Sequence, residues 1–315
     1  MTAVNLALGT MLFGIKVPEE TSFALLDQFV DAGGVWLDTA DCYSFWADDS
    51  GHGGASERLL GRWLASRPGV RDRVRISTKV GAEPMDDGEW PANRQGLSGA
   101  AIATAVQGSL RRLGTDHLDL YWAHMEDRSV DLAETAEALA KLAADGTVGR
   151  LGASNHPLWR VERARGIARS HGWAEYTALQ LRHSYFRPRP GIAVPGQNHR
   201  FGWATDETLD YVHSDPELTL WAYTTLLYGH YARPDRDPGE AYQHVGNERR
   251  AAALGQVADE LGVTPNQVVL AWLTGGEPAV TPIVGVSRPE QLTEAIAGVT
   301  LELPAEHRAL LDAAG

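Results

Sequence analysis

Residues 35–43 read VWLDTADCY, residues 74–80 read VRISTKV and residues 118–124 read LDLYWAH. Each is a short apolar, β-prone run that ends on a residue with chemistry: Asp38, Lys79 and His124. A longer stretch with apolar residues at three- and four-residue spacing follows each run, which is the signature of βα units rather than of separate all-β and all-α domains. Working outward, the same alternation predicts strands over Leu6–Thr10, Val35–Ala40, Val74–Val80, Leu118–His124, Gly149–Ser154, Ala178–His183, Leu218–Thr224 and Val280–Val286. Helical segments are expected over Glu19–Ala32, Ser56–Ala65, Gly99–Leu113, Leu132–Ala144, Trp159–Ser170 and Asn247–Leu261, with a further helix opened by Thr264-Pro265 and running to Trp272. Ser98 is placed to cap one helix start, and Gly33 and Gly146 to follow helix ends. Eight strands with intervening helices suit a closed (β/α)8 barrel or an open doubly wound sheet, both α/β folds.

The 315 residues fit a single α/β barrel domain, 1–315, with 43% hydrophobic residues to fill its core. The net charge of −13 opposes binding to nucleic acid or to anionic membrane surfaces. The opening MTAVNLALGTMLFGIK lacks the charged and apolar regions of a leader, and a lone cysteine, Cys42, suits a reducing compartment, so the expected location is cytoplasmic. Three irregular stretches follow predicted strands, Glu83–Gln95, Phe186–Trp203 and Leu227–Gly246. In a parallel barrel they would shape a pocket at the strands' C-terminal ends.

Such a barrel brings Asp38, Lys79 and His124 to one mouth, and Tyr43 follows five residues after Asp38. A lysine could stabilise a tyrosine phenolate, an aspartate could hold the lysine, and a histidine could orient a carbonyl or pass a proton. Taken singly, each residue also has an ordinary reading as a barrel salt bridge, a core histidine or loop packing. Two further readings stay open, a binding or redox-sensing module and a metal-dependent barrel hydrolase using His124, Glu126 and Asp127. Alternation of side chains along a strand weighs against the second.

The segments LDTADCY, STKVG, YWAHMED, LGASNHP, WAYTTL and PIVGVSRPEQLTEA resemble, in order and spacing, the signature segments of the aldo-keto reductases, on the side of the bacterial and channel-β-subunit-like members. The resemblance implies a (β/α)8 barrel that reduces an aldehyde or ketone with NADPH in preference to NADH. It places the catalytic tetrad on Asp38, Tyr43, Lys79 and His124, with Tyr43 as proton donor and no metal. It places the nicotinamide against Ser154, Asn155, Gln180 and Tyr223, and the rest of the cofactor along Thr10, Met11, Asp38, Leu226, Gly285, Ser287, Arg288, Gln291 and Glu294. Arg288 is the expected partner of a 2′-phosphate. Two departures are visible: Thr224-Thr225-Leu226 stands where Ser-Pro-Leu is usual, and Ala295 where an asparagine is common. Trp46, Trp90, Tyr185 and Trp203, with Phe186 and Tyr228 beside them, are expected to line an aromatic pocket for a small carbonyl compound, in a chain able to form a homo-oligomer.

Overall fold

The computed structural model describes residues 4–194, 196–197, 201–233 and 235–315. Eight parallel strands close on themselves in chain order: β1 Ala7–Gly9, β2 Trp36–Asp38, β3 Arg75–Val80, β4 Leu118–Ala123, β5 Val148–Ser154, β6 Tyr176–Arg182, β7 Thr219–Tyr223 and β8 Val280–Gly285. The circle is sealed by β1 pairing with β8, Gly9 opposite Gly285. The doubly wound alternative is thereby removed, and every predicted strand is present with its ends shifted by no more than two residues, β5 and β6 beginning earlier than expected.

The helices are α1 Glu19–Asp31, α2 Ala55–Ser66, α3 Gly99–Leu113, α4 Leu132–Ala144, α5 Leu158–His171, α6 Asp206–His213, α7 Val245–Leu261, α8 Pro265–Thr274, α9 Pro289–Thr300 and α10 Ala305–Ala313. Local signals explain several boundaries. The Ser98 hydroxyl accepts from the Ala101 amide at 3.2 Å, and Gly114 ends α3 at φ 65°. Thr264 and Gln267 cap one another's backbone around Pro265. Helix α10 is a finding beyond the sequence expectation, and α6 supplies the intervening segment between the sixth and seventh strands for which the sequence reading gave no bounds. Helix α6 starts at a Thr205–Thr208 capping box just after the irregular stretch 186–203.

Strand alternation divides the side chains into two populations. One set, including Leu8, Leu37, Ile76, Tyr121, Leu151, Leu179 and Leu220, faces the helices and forms the main core. The other fills the barrel: Ala7, Leu120, Trp122, Ala178 and Trp221, with Trp36 and Ile283 against them. Trp221 stands edge-on to Trp36 and Trp122, at centroid distances of 5.0 and 5.6 Å. This aromatic plug forms a floor, and above it the inward positions become polar: Asp38, Lys79, Ser154, Gln180, Arg182 and Tyr223.

The floor depends on Gly152, which is paired with Trp122. A Cβ there would lie 2.2 Å from Trp122 Cε3. We therefore expect Gly152→Ala to cost about 1–3 kcal/mol in urea unfolding through overpacking. An unchanged midpoint would mean that the indole has room to shift.

Candidate active site

The Lys79 ammonium is fully buried, and each of its three donors has an acceptor: Asp38 Oδ2 at 2.6 Å, the Thr39 carbonyl at 2.7 Å and the Tyr43 hydroxyl at 2.9 Å. Asp38 is satisfied on its other oxygen by Ser77 Oγ at 2.8 Å and Gln180 Nε2 at 3.1 Å. Ser77 in turn accepts from Trp122 Nε1 at 2.6 Å, so the floor and the ion pair form one bonded unit. The buried charges carry a full set of hydrogen bonds, the condition under which such a pair is tolerated.

Tyr43 sits on the loop after β2, partly exposed at the mouth, with the His124 ring edge-on at 5.9 Å. The four residues picked from the sequence therefore meet. One detail differs from the expectation. Burial first, then the nearby Asp38 carboxylate, pushes the Tyr43 phenol well above its usual range, whereas the sequence reading has Lys79 drawing it down. The ammonium's charge is answered by Asp38, its short-range partner. Because Tyr43 oxygen already accepts from Lys79, its own O–H is free to point elsewhere.

Next to this centre, Asn155 holds a left-handed backbone (φ 58°) and binds three neighbours. Its Nδ2 donates to the His124 carbonyl and to Ser154 Oγ, both at 3.0 Å, while the Tyr223 hydroxyl donates to its Oδ1 at 2.8 Å. Ser154 Oγ donates to the Gln180 carbonyl at 3.0 Å. Ser154, Asn155, Gln180 and Tyr223 are thus one patch on the wall beside Asp38. Across the mouth, the Thr10 amide and hydroxyl both donate to the Asp38 carbonyl, and the Met11 carbonyl accepts from Ser44 Oγ. Leu226 stands two residues after Thr224, a β-branched residue held at the strained φ of 56°.

At the far side, Gly285 is exposed, and the Ser287 and Arg288 amides donate to Gln291 Oε1 at 2.8 and 3.2 Å at the start of α9. Arg288 is exposed and enters no ion pair among the described residues. Glu294 spans to α8, accepting from Thr264 Oγ1 and Asn266 Nδ2.

The expected pocket aromatics divide. Trp46 is about half exposed and stands edge-on to Phe45, and Phe45 also meets Trp90, whose indole donates to the Ala82 carbonyl. Trp203 bridges to β6 beside Arg182. Tyr185 does not join them. It is fully buried between Phe186 and Trp272, and its hydroxyl donates to the Leu311 carbonyl, so packing under α10 takes it away from the mouth. Phe186 is likewise buried against Tyr231, while Tyr228 is mostly exposed. Of the loop 186–203, residues 195 and 198–200 lie outside the described residues.

Glu126 pairs with Arg128 and Arg160, and Asp127 accepts from the Leu97 and Ser129 amides, so neither turns to His124 as a metal ligand. The potential ligands that do converge are Asp41, Cys42 and His124, whose ligand atoms lie within 4.8 Å of one another.

The sequence reading missed two features here. Arg182 lies two residues beyond Gln180 and therefore on the same inward face, a parity that was available in the sequence. The other is a buried acidic group of Asp41, Glu57 and Glu83 around Arg112. Glu57 is held by Arg112 Nε and Thr78 Oγ1, both at 2.6 Å, whereas among the described residues no side chain bonds the buried Asp41 carboxyl. Burial, then the charges of Glu57 and Glu83, raises the Asp41 carboxyl well above its usual 3.8. A carboxyl raised on folding contributes stability that is whole below pH 3.8 and is lost as pH climbs toward the folded value. We expect Asp41→Asn to raise the melting temperature by a few degrees at pH 8 and to leave it unchanged near pH 4. An equal effect at both values would mean that Asp41 is not held neutral.

Comparison with known proteins agrees with this geometry. The chain is 32% identical over 321 residues to a norsolorinic acid reductase of Emericella nidulans, an alignment that covers 96% of this chain and 75% of that protein. It is 31% identical over 328 residues to norsolorinic acid reductase B of Aspergillus parasiticus, covering 98% and 78%. It is 29% identical over 307 residues to an uncharacterized oxidoreductase of Bacillus subtilis, covering 96% and 89%. The model of the Aldo/keto reductase family matches residues 5–315, and with a closed eight-stranded barrel beneath the Asp38, Tyr43, Lys79 and His124 cluster, the chain belongs to that family.

Proposed function

We propose that this enzyme reduces an aldehyde or ketone to an alcohol with NADPH, using Tyr43 as proton donor. The observation that carries the reading is the buried Lys79, bound to Asp38 and donating to the Tyr43 hydroxyl at 2.9 Å. The raised phenol stays protonated at neutral pH, as a general acid must. Once its proton passes to a carbonyl oxygen, the phenolate left behind sits against the Lys79 ammonium, which stabilises the charge as it develops. His124, edge-on to Tyr43, can orient the carbonyl oxygen from the other side.

The residues present suit a nicotinamide dinucleotide. Ser154, Asn155 and Gln180 offer amide and hydroxyl groups beside Tyr223, an aromatic face on the mouth wall. Glycines 9 and 285 leave the opposite rim without side chains, and a Cβ at Gly285 would meet only the Gly9 carbonyl, at 3.7 Å. Arg288, unpaired and exposed, suits a 2′-phosphate near Ser287 and Gln291, which favours NADPH over NADH. When bound, this cofactor supplies hydride. Trp46, Trp90 and Trp203 give the pocket an aromatic rim, in keeping with two relatives named for reducing norsolorinic acid. The lone buried thiol of Cys42 accords with a cytoplasmic enzyme.

Tyr43→Phe is expected to lower the rate of NADPH oxidation with an aldehyde by about 10²–10⁴-fold while NADPH affinity, read by fluorescence titration, is retained. Joint loss of both would sink the assignment. Arg288→Ala should raise the KM for NADPH far more than that for NADH. Equal changes would place the 2′-phosphate elsewhere.

A further inference from the structure

Arg182 is the last residue of β6 and is 1% exposed. Its strand neighbour Gln180, two residues back, donates to Asp38, so Arg182 faces the same interior one layer nearer the mouth, about 6–7 Å along the strand. Its register partner on β7 is Tyr223, the aromatic face assigned above to the nicotinamide.

Arg165 and Arg112 are answered by carboxylates, whereas Arg150, also partly buried, is held by the Thr177 and Thr219 hydroxyls and the Thr177 carbonyl. Arg165 meets Asp215 at 2.5 Å and Glu175 at 2.9 Å, and Arg112 meets Glu57 at 2.6 Å. Arg182 takes part in none of the ion pairs among the described residues. Its surroundings are aromatic: the guanidinium carbon lies 5.2 Å from the Trp203 ring centroid and 5.9 Å from that of Tyr223. One terminal nitrogen donates to the Tyr228 hydroxyl at 3.1 Å, while Nε is buried with no partner. Ring faces offset part of a buried charge but accept none of the in-plane N–H bonds that a guanidinium offers to a carboxylate. Leaving those donors unanswered is costly, and a ligand that answers them recovers the cost on binding.

Among the described residues, Tyr228 and Gly196 stand over this cation. Tyr228, itself 63% exposed and at φ 57°, accepts from one terminal nitrogen, the buried Tyr242 hydroxyl stands near the same guanidinium, and Gly196 lies alongside, where an added Cβ would stand 3.2 Å from the Tyr228 hydroxyl and 3.9 Å from the Arg182 terminal nitrogen. An incoming anionic oxygen can replace the Tyr228 phenol.

Resting on the reductase reading, we propose that Arg182 is a specificity residue that binds a carboxylate on the carbonyl substrate, selecting a flat aromatic aldehyde or ketone with an acidic group across the ring from the reacting carbon. The carbonyl is then seated at Tyr43 and His124, and the ring lies between Trp203 and Tyr228. A para-substituted benzene holds its two substituents about as far apart as one layer of side chains along a strand.

The probes are 4-formylbenzoate and its methyl ester, which differ by the charge. The wild type should reduce the acid with a kcat/KM at least about tenfold above that of the ester, the discrimination expected of a charge-assisted bidentate bond. Arg182→Met should bring the ratio to about one, and Arg182→Lys, which keeps the charge but not the planar fork, should give an intermediate ratio. Equal handling of acid and ester by the wild type would overturn the proposal. So would a variant ratio that matches wild type, or a change confined to the KM for NADPH, which would make Arg182 a cofactor residue. Should Arg182→Met fail to fold, the Arg182→Lys ratio decides. Binding of both probes to the wild type with NADP, followed by tryptophan fluorescence, separates the two readings. Tighter binding of the acid without turnover of either compound would uphold Arg182 and count against the reductase reading, whereas turnover without preference would do the reverse.

Discussion

The architecture of this site turns on one constraint: a lysine ammonium has been taken fully out of water at the top of a packed barrel. An ion in such a place costs several kcal/mol unless partners surround it. Lys79 meets that demand with a carboxylate, a carbonyl and a phenol, one for each proton, and Asp38 meets its own with Ser77 and Gln180. The aromatic floor is tied into the same network through Trp122 and Ser77. Moving any member unpairs a buried group elsewhere, so the Tyr43 phenol inherits its position from the packing below it. Preorganisation of this kind is what electrostatic stabilisation of a developing charge requires.

Around that centre the mouth handles three further charges differently. Glu57 is neutralised by a short ion pair with Arg112 and a bond from Thr78. Asp41, beside two other carboxylates, is pushed toward its neutral form. Arg182 has neither a carboxylate nor an easily removed proton, since arginine stays charged in proteins. It is cushioned by aromatic rings and left with one buried donor, Nε, unanswered. The first two arrangements are self-contained within the protein, whereas the third leaves the buried Arg182 Nε without a partner.

The strand ends and the residues on them were readable in the sequence because strand periodicity is short and local. Asp38, Lys79 and His124 each close an apolar run, and the segments around them carry the family's signature in order. Helix starts at Ser98 and Thr264 were readable for the same reason, since a cap is a contact within one turn. The bounds of helix α6 were not given by the sequence, because its eight residues make only two turns between an irregular stretch and the seventh strand. Tyr185 misled for a related reason. Its position after a strand suggested the pocket, but its neighbours Trp272 and Leu311 come from the far end of the chain.

By itself, the sequence determined the order of βα units, the identity of the chemical groups and the side of the barrel on which they lie, because all three follow from local periodicity and from the rule that parallel strands share one direction. Only the tertiary structure decided closure of the sheet, the upward rather than downward shift of the Tyr43 phenol, and the isolation of Arg182 among aromatic rings. Those outcomes depend on burial and on distances between residues from Asp38 to Tyr228, and solvent exclusion and charge proximity exist only after the chain has folded.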